Sequence, residues 1–156
     1  MSQFVPDSIS ARGLTAFLHE QIPLTRAMEL RAIEANAHRL VLDAPLAPNK
    51  NHLGTAFGGS LQALPTLACY GALWMILREA GIDGHVVVKR AHATFHEPVE
   101  GKLRACCERP GAGVVNDFLA HLRRHKKARM ELAALVDGSS PAKPAVRFSG
   151  SFVAIV

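Results

Sequence analysis

The sequence predicts an α+β fold in which one antiparallel sheet wraps around one buried helix. Three observations carry that expectation. The stretch from about Gly59 to Ala80 is apolar on nearly every side, and residues 51 to 71 hold no Lys, Asp or Glu; a helix apolar all round must be enclosed by other elements. Strand patterns occur twice before that helix and four times after it, bounded by proline and glycine, which suits a single sheet packed on it. The 156 residues are 49% hydrophobic and 20% charged, enough for one globular domain over residues 1–156.

In chain order, Leu14, Phe17, Leu18 and Ile22 recur at helical spacing after Ser10, and Pro23 is expected to end that short helix. "AMELRAIEANAHRLVLDAPL" alternates as two strands turning around Asn36–His38. Pro45 and Pro48 open a loop, and "NHLGTAFGGSLQALPTLACYG" runs from that loop into the apolar helix, which Gly81 and Gly84 end. "HVVVKRAHATFHEPV" is a long strand stopped by Pro98, and "KLRACCER" another stopped by Pro110. Val114, Val115, Phe118, Leu119 and Leu122 mark a short amphipathic helix, and "ARMELAALV" and "AVRFSGSFVAIV" are the last strands, with "DGSSPAKP" between them. Repeats and low-complexity tracts are absent.

The net charge of +5 suits an anionic partner. Only 6% of residues are aromatic, and no aromatic RNA-binding run or helix-turn-helix pattern occurs, so no nucleic-acid partner is expected. Three cysteines without C-x-x-C spacing argue against a disulfide framework or zinc site and favour a reducing cytoplasm. "MSQFVPDSISARG" lacks a cationic start followed by an apolar run, so no signal peptide is expected. Leu61 to Leu77 approaches the lower length of a membrane span, roughly 17 residues. It carries Gln62, Pro65, Thr66 and Tyr70, and a buried core helix is the expectation, with no membrane partner.

The glycine pair Gly58–Gly59 fits neither nucleotide-loop form. A Walker loop needs Lys after its last glycine, where Ser60 stands, and Gly54 lies too far back for G-x-G-x-x-G. What remains is either a tight turn or a helix N-terminus whose free N–H groups and dipole favour an anion or a polarised carbonyl oxygen. Gln62, Thr66 and Tyr70 fall four residues apart and make one polar stripe on the helix; a buried Thr also commonly bonds back to a carbonyl one turn earlier. Pro65 should kink the helix or free a carbonyl. Asp117, His121 and His125 stand one turn apart but on the outer face of their helix, and His92 and His96 lie about 13 Å apart along a strand, so no metal site is expected. Arg123, Arg124, Lys126, Lys127 and Arg129 form the densest basic run. It reads either as a solubilising turn or as a phosphate contact near the mouth of a site.

Asn51, then Gly54-Thr55-x-Phe57-Gly58-Gly59-Ser60 entering the long helix, then Phe95-x-x-Pro98-x-x-Gly101, resembles the hotdog-fold thioesterases. More narrowly it is similar to the thioesterase-like domain at the C-terminus of YiiD-type proteins, over roughly residues 10 to 156. The resemblance implies a hotdog fold, a homodimer or tetramer with sites at the subunit interface, and hydrolysis of acyl-CoA or acyl-carrier-protein thioesters. It implies no cofactor beyond the coenzyme A or phosphopantetheine of the substrate. Many relatives carry His where Phe57 stands and an acidic residue where Thr66 stands. The implied catalytic residues are Asn51, Gly59 and Thr66. Gly59 would polarise the carbonyl, and Asn51 and Thr66 would hold the attacking water. The implied substrate contacts are Thr55, Phe57, Gly58, Ser60, Gln62, Lys126, Lys127 and Arg129. A non-catalytic acyl-thioester binding module is the alternative reading.

Overall fold

The computed structural model describes residues 9–156; Met1–Ser8, on which the reading about a signal peptide largely rests, lies outside them. The first helix, α1 (Ala11–Gln21), is capped by Ser10, whose hydroxyl accepts the Gly13 N–H at 3.0 Å. Pro23 does end α1, and it also starts a second short helix, α2 (Pro23–Ala27). Proline is favoured in that first position because its missing N–H would be unpaired there anyway. The hairpin β1 (Arg31–Ala35) and β2 (Arg39–Ala44) turns where expected. Asn36 Oδ1 accepts the N–H groups of His38 (2.8 Å) and Arg39 (3.0 Å) and so holds the turn.

The central helix α3 (Gly58–Glu79) is followed by β3 (His85–Phe95), β4 (Leu103–Glu108), α4 (Ala112–His125), β5 (Lys127–Val136) and β6 (Val146–Ile155). The six strands form one sheet in the order β1-β2-β4-β5-β6-β3, with every neighbouring pair antiparallel. α3 packs on β2, β3, β4, β5 and β6, and the strict alternation of β5 sends Ala128, Met130, Leu132, Ala134 and Val136 into the core beneath it. This is the sheet-around-a-helix that the sequence predicts and the hotdog arrangement that the resemblance implies. By length and composition α3 could cross a membrane, but thirteen of its residues are buried within this single chain.

Two close approaches hold α3 in place. An alanine Cβ at Gly71 would fall 2.7 Å from Leu40 Cδ2 and 3.7 Å from Leu14 Cδ2, so glycine lets the helix lie between β2 and α1. Further along, Trp74 stacks on Phe17 of α1 with ring centroids 4.0 Å apart. Pro65 sits inside α3 without interrupting it. Its missing N–H leaves the Leu61 carbonyl without the usual helical donor.

β3 is a sheet edge. It pairs with β6 on one side only among the described residues, and of its eleven residues only Val86 is buried. Val87, Val88 and Phe95 are about half exposed, at 47%, 48% and 49%.

Candidate functional site

The loop before α3 is built by its own polar side chains. Asn51 Oδ1 accepts the N–H groups of Leu53 (2.9 Å) and Thr55 (3.2 Å), and its Nδ2 donates to Thr55 Oγ1 at 2.9 Å. Gly54 turns the chain with φ +78, which glycine adopts without strain. Ala56 then donates its N–H to the Val99 carbonyl at 2.8 Å, and Phe57 donates to the Asn49 carbonyl at 2.7 Å. Asn49, only 2% exposed, anchors the loop from below through Nδ2 bonds to the carbonyls of Met28 (2.9 Å) and Pro45 (2.8 Å). Asn49 was not singled out from the sequence. An Asn after Pro48 reads as an ordinary turn residue, and nothing in the pattern signals its burial.

This scaffold ends in an open helix terminus. Phe57 is the N-cap and supplies no side-chain bond, and the first helical bond runs from the Leu61 N–H to the Phe57 carbonyl at 3.0 Å. The N–H groups of Gly58, Gly59 and Ser60 have no partner among the described residues. No acidic side chain occupies the first turn, so the positive end of the helix dipole is not neutralised. Apart from its chain neighbours Phe57 and Gly59, a Cβ at Gly58 would meet nothing within 4 Å, and one at Gly59 would fall on the Phe57 ring.

Gln62, Thr66 and Tyr70 do form a half-buried stripe running from this terminus. The Thr66 hydroxyl donates to the Gln62 carbonyl at 2.7 Å. Its proton is therefore committed, and its oxygen can act only as an acceptor toward anything in the groove. Asn51 is committed in the same way, since both ends of its carboxamide bind its own loop; it positions the loop. Burial pushes the Tyr70 phenol up from its ordinary range, with the charge of Arg78 opposing. Gly58 to Leu77 holds no carboxylate. Glu97, just past β3, is turned away to accept the Ser139 N–H and, at 3.1 Å, the Ser139 hydroxyl.

The basic run lies elsewhere. Arg123 and Arg124 sit in the last turn of α4, where cations complement the helix dipole, and Lys126 caps that helix with φ +64. Lys127 and Arg129 alternate with buried Ala128 and Met130, so they stand on the face of the sheet opposite α3. There they line a groove of about 690 Å³ with His121, His125, Val87, Val153 and Ile155. The imidazoles of His121 and His125 lie 4.3 Å apart, centroid to centroid, on the rim. Lys127 pairs with Ile155, which pairs with His85 at the start of β3, whereas the loop entering α3 bonds to Val99, beyond the end of β3. The two ends are separated by the length of α3, about 32 Å for 22 residues. The expectation that Lys126, Lys127 and Arg129 sit at the mouth of the Gly58–Gly59 site is therefore not met within one chain, because β5 starts at the far end of the sheet.

Comparison with known proteins places these features in a family. The family model described as "Putative thioesterase (yiiD_Cterm)" matches residues 11–156. A solved structure of a protein of unknown function from Chlorobaculum tepidum is 32% identical, covers 93% of each chain and has a TM-score of 0.88. The "putative thioesterase" of Shewanella oneidensis is 27% identical with a TM-score of 0.82, over 94% of this chain and 97% of that one. A thioesterase from Haemophilus influenzae, at 11% identity and covering 96% and 92% of the two chains, shares the fold with a TM-score of 0.70.

Proposed function

The chain belongs to the "Putative thioesterase (yiiD_Cterm)" family, and from that membership we propose that it hydrolyses acyl thioesters, carried by coenzyme A or an acyl carrier protein, at the N-terminal turn of α3. One observation carries the reading: the adjacent N–H groups of Gly58, Gly59 and Ser60 have no partner among the described residues, at a helix terminus without a side-chain cap. Such donors hold the oxygen of a thioester carbonyl and the negative charge that grows on it as water adds to the carbon. The adduct then collapses, the carbon–sulfur bond breaks, and the products are a carboxylate and a thiol, with the water's proton passing to solvent or to the departing sulfur. The Thr66 oxygen can accept a hydrogen bond from the attacking water. It is too weak a base to take the proton, so modest turnover is expected.

The half-open Gln62–Tyr70 stripe and the half-exposed apolar residues of β3 leave the site unenclosed in one chain. A second copy pairing along β3 would bury both, which supports a homodimer. The direct test is a panel of acyl-CoAs with release of free thiol as the signal, together with sedimentation. Hydrolysis by a species of twice 16.8 kDa is expected. A monomer at micromolar concentration would remove the shared site.

A second reading is favoured by one specific observation: no carboxylate lies between Gly58 and Leu77, and the Thr66 proton is committed to Gln62. On that reading the protein binds acyl thioesters without cleaving them. Tight binding of acyl-CoA with no thiol released for any chain length would establish it and end the hydrolase reading.

A further inference from the structure

The loop that delivers the chain to α3 is closed largely by its own bonds. Lys50 and Ala56 face each other in a single antiparallel bridge. The Asn51 N–H donates to the Thr55 carbonyl at 2.7 Å on one side of it, and the Phe57 N–H to the Asn49 carbonyl at 2.7 Å on the other. Two hydrogen-bonded ties join this unit to the sheet and helices among the described residues. One is the Ala56 N–H on the Val99 carbonyl. The other is the Asn49 side chain, whose Nδ2 spends both hydrogens, one on Met28 where α2 ends and one on Pro45 just past β2. Its Oδ1 is buried with no donor among the described residues, an unfavourable state, so Nδ2 alone holds the side chain there. The terminus beyond has few other restraints. Gly58 and Gly59 bring no side chain, and Phe57 is 56% exposed. A glycine pair bends readily. The direction of the three free N–H groups therefore follows the Phe57 backbone, and that backbone follows Asn49.

We propose that Asn49 is a positioning residue for the thioester reaction: its amide, fixed on the Met28 and Pro45 carbonyls, sets where the N–H groups of Gly58, Gly59 and Ser60 meet the carbonyl oxygen. This rests on the thioester reading of the α3 terminus. Donors of this kind act because they already stand in place when charge develops on the oxygen. A misplacement of about 1 Å, made far from the reacting atoms, costs about a hundredfold in rate. The residue type suits the task. A primary amide carries two donors on one nitrogen to two carbonyl oxygens, whereas a Ser hydroxyl carries one and an aliphatic side chain none. Asn49 touches neither substrate nor water on this account; it acts through Phe57.

The test pairs kinetics with the infrared carbonyl stretch of a bound S-(2-oxoalkyl)-CoA, a ketone that cannot be cleaved and whose frequency falls as donors polarise it. Asn49→Leu keeps the branched skeleton and removes every donor. It should lower kcat by about ten- to a hundredfold while KM stays within about threefold. The wild-type protein should hold the ketone band below its value in water, and Asn49→Leu should return much of that shift. Asn49→Ser, with one donor, should fall between the two in kcat and in band position, and it carries the comparison if the Leu variant does not fold. Met130→Ala, in the core beneath β5, supplies a destabilised control: its melting temperature should drop, with kcat within about threefold of wild type and the band unmoved. Folded Asn49 variants that lose melting temperature alone, with kcat within about twofold and the band in place, overturn the positioning role. A band that moves with Asn49 while wild type cleaves nothing sinks hydrolysis and leaves that role standing. Cleavage with kcat and band indifferent to Asn49 does the reverse. A bound ketone whose band is unshifted in wild type removes the α3 terminus as the site, and both readings with it.

Discussion

The N-terminus of α3 and the C-terminus of α4 are chemically opposite. At the N-terminus of α3 the cap offers no side-chain bond, the first turn has no charge, and three N–H groups have no partner among the described residues. At the other end of the sheet, α4 finishes on Arg123, Arg124 and His125, Lys126 closes it, and Lys127 and Arg129 continue onto the outer face. The basic end satisfies its own helix, because its cations sit where the dipole is negative. The N–H groups of the neutral end have no partner among the described residues. An unfilled requirement of that kind marks a ligand site better than a dense charge does.

The largest effect is expected from deleting one of those donors. Gly58 is the first helical residue, where proline is tolerated, and Phe57 already has the extended ψ that a following proline demands. No heavy atom outside Phe57, Gly59 and the helix's own backbone lies within 4 Å of a Cβ there. Gly58→Pro therefore removes an N–H and little else. It should lower kcat about a hundred- to a thousandfold, as loss of one oxyanion donor does, with the circular dichroism spectrum retained. Gly58→Ala keeps the donor and should stay within about threefold of wild type, since the new methyl group meets nothing beyond its chain neighbours. Equal losses in both variants would mean that the space at Gly58 matters and the N–H does not.

A smaller change, in the opposite direction, is expected at Thr66. Thr66→Asp puts a carboxylate one turn above Gln62, on the half-buried stripe and close to the terminus. A positioned base contributes about a hundred- to ten-thousandfold when its pKa and geometry are tuned. An untuned carboxylate should give less, about tenfold in kcat, with a pH–rate profile that rises through the range of a partly buried acid. Thr66→Val removes the bond to the Gln62 carbonyl without adding a base, and should change kcat by less than about tenfold. A Thr66→Asp variant that folds and is no faster than Thr66→Val would place the attacking water away from the stripe.

A third expectation concerns the thiols and bears on any free-thiol assay. Burial pushes the Cys106 thiol up from its ordinary range. Cys69, buried against the Cys107 thiol, is pushed up further, first by that hydrogen bond and then by burial. Both shifts disfavour the reactive thiolate. Cys106, half-exposed, should be the first modified by a disulfide reagent, and only as the pH rises above the usual cysteine value; Cys69 and Cys107 should react only on unfolding. Three equivalent fast thiols at neutral pH would contradict the burial of α3 against β4.

Much of this architecture was legible because it rests on periodicity. The all-round apolar character of Gly58–Glu79, the alternation of β5 and the Asn36 turn are local patterns, and each maps onto one element. What could not be read was which residues meet. Asn51 has the side chain of a water-holding residue, but four loop residues away Thr55 takes both ends of its amide, a pairing set by the turn at Gly54. Asn49 looked like loop filler and proved to be the anchor of Phe57. Lys126, Lys127 and Arg129 suited a phosphate chemically, but their distance from Gly58 depends on strand order and on which face of β5 points outward. Neither quantity is encoded within a short window of sequence.

The smallest expected effect follows from that separation and is the sharpest test of it. Lys127 and Arg129 are solvent-exposed, and Arg129 already lies 3.7 Å from Glu131, so each can offer a distant phosphate only a screened attraction. Replacing Lys126, Lys127 and Arg129 together by Ala should leave kcat unchanged and raise KM for acyl-CoA by less than about threefold near 0.1 M salt. Short acyl thioesters that lack the nucleotide should show no change at all. The control matters because the triple variant also removes charge from the C-terminus of α4, and the weakened dipole pairing should lower the melting temperature by a few degrees. A tenfold rise in KM for acyl-CoA alone, abolished at high salt, would reverse the expectation. It would mean that the carrier's phosphates rest on the basic groove while its thioester lies at an α3 terminus, and since one chain holds those features a helix-length apart on opposite faces, the two would have to come from different subunits. Measuring KM against salt for both substrate classes therefore decides whether the two ends of the molecule work together or apart.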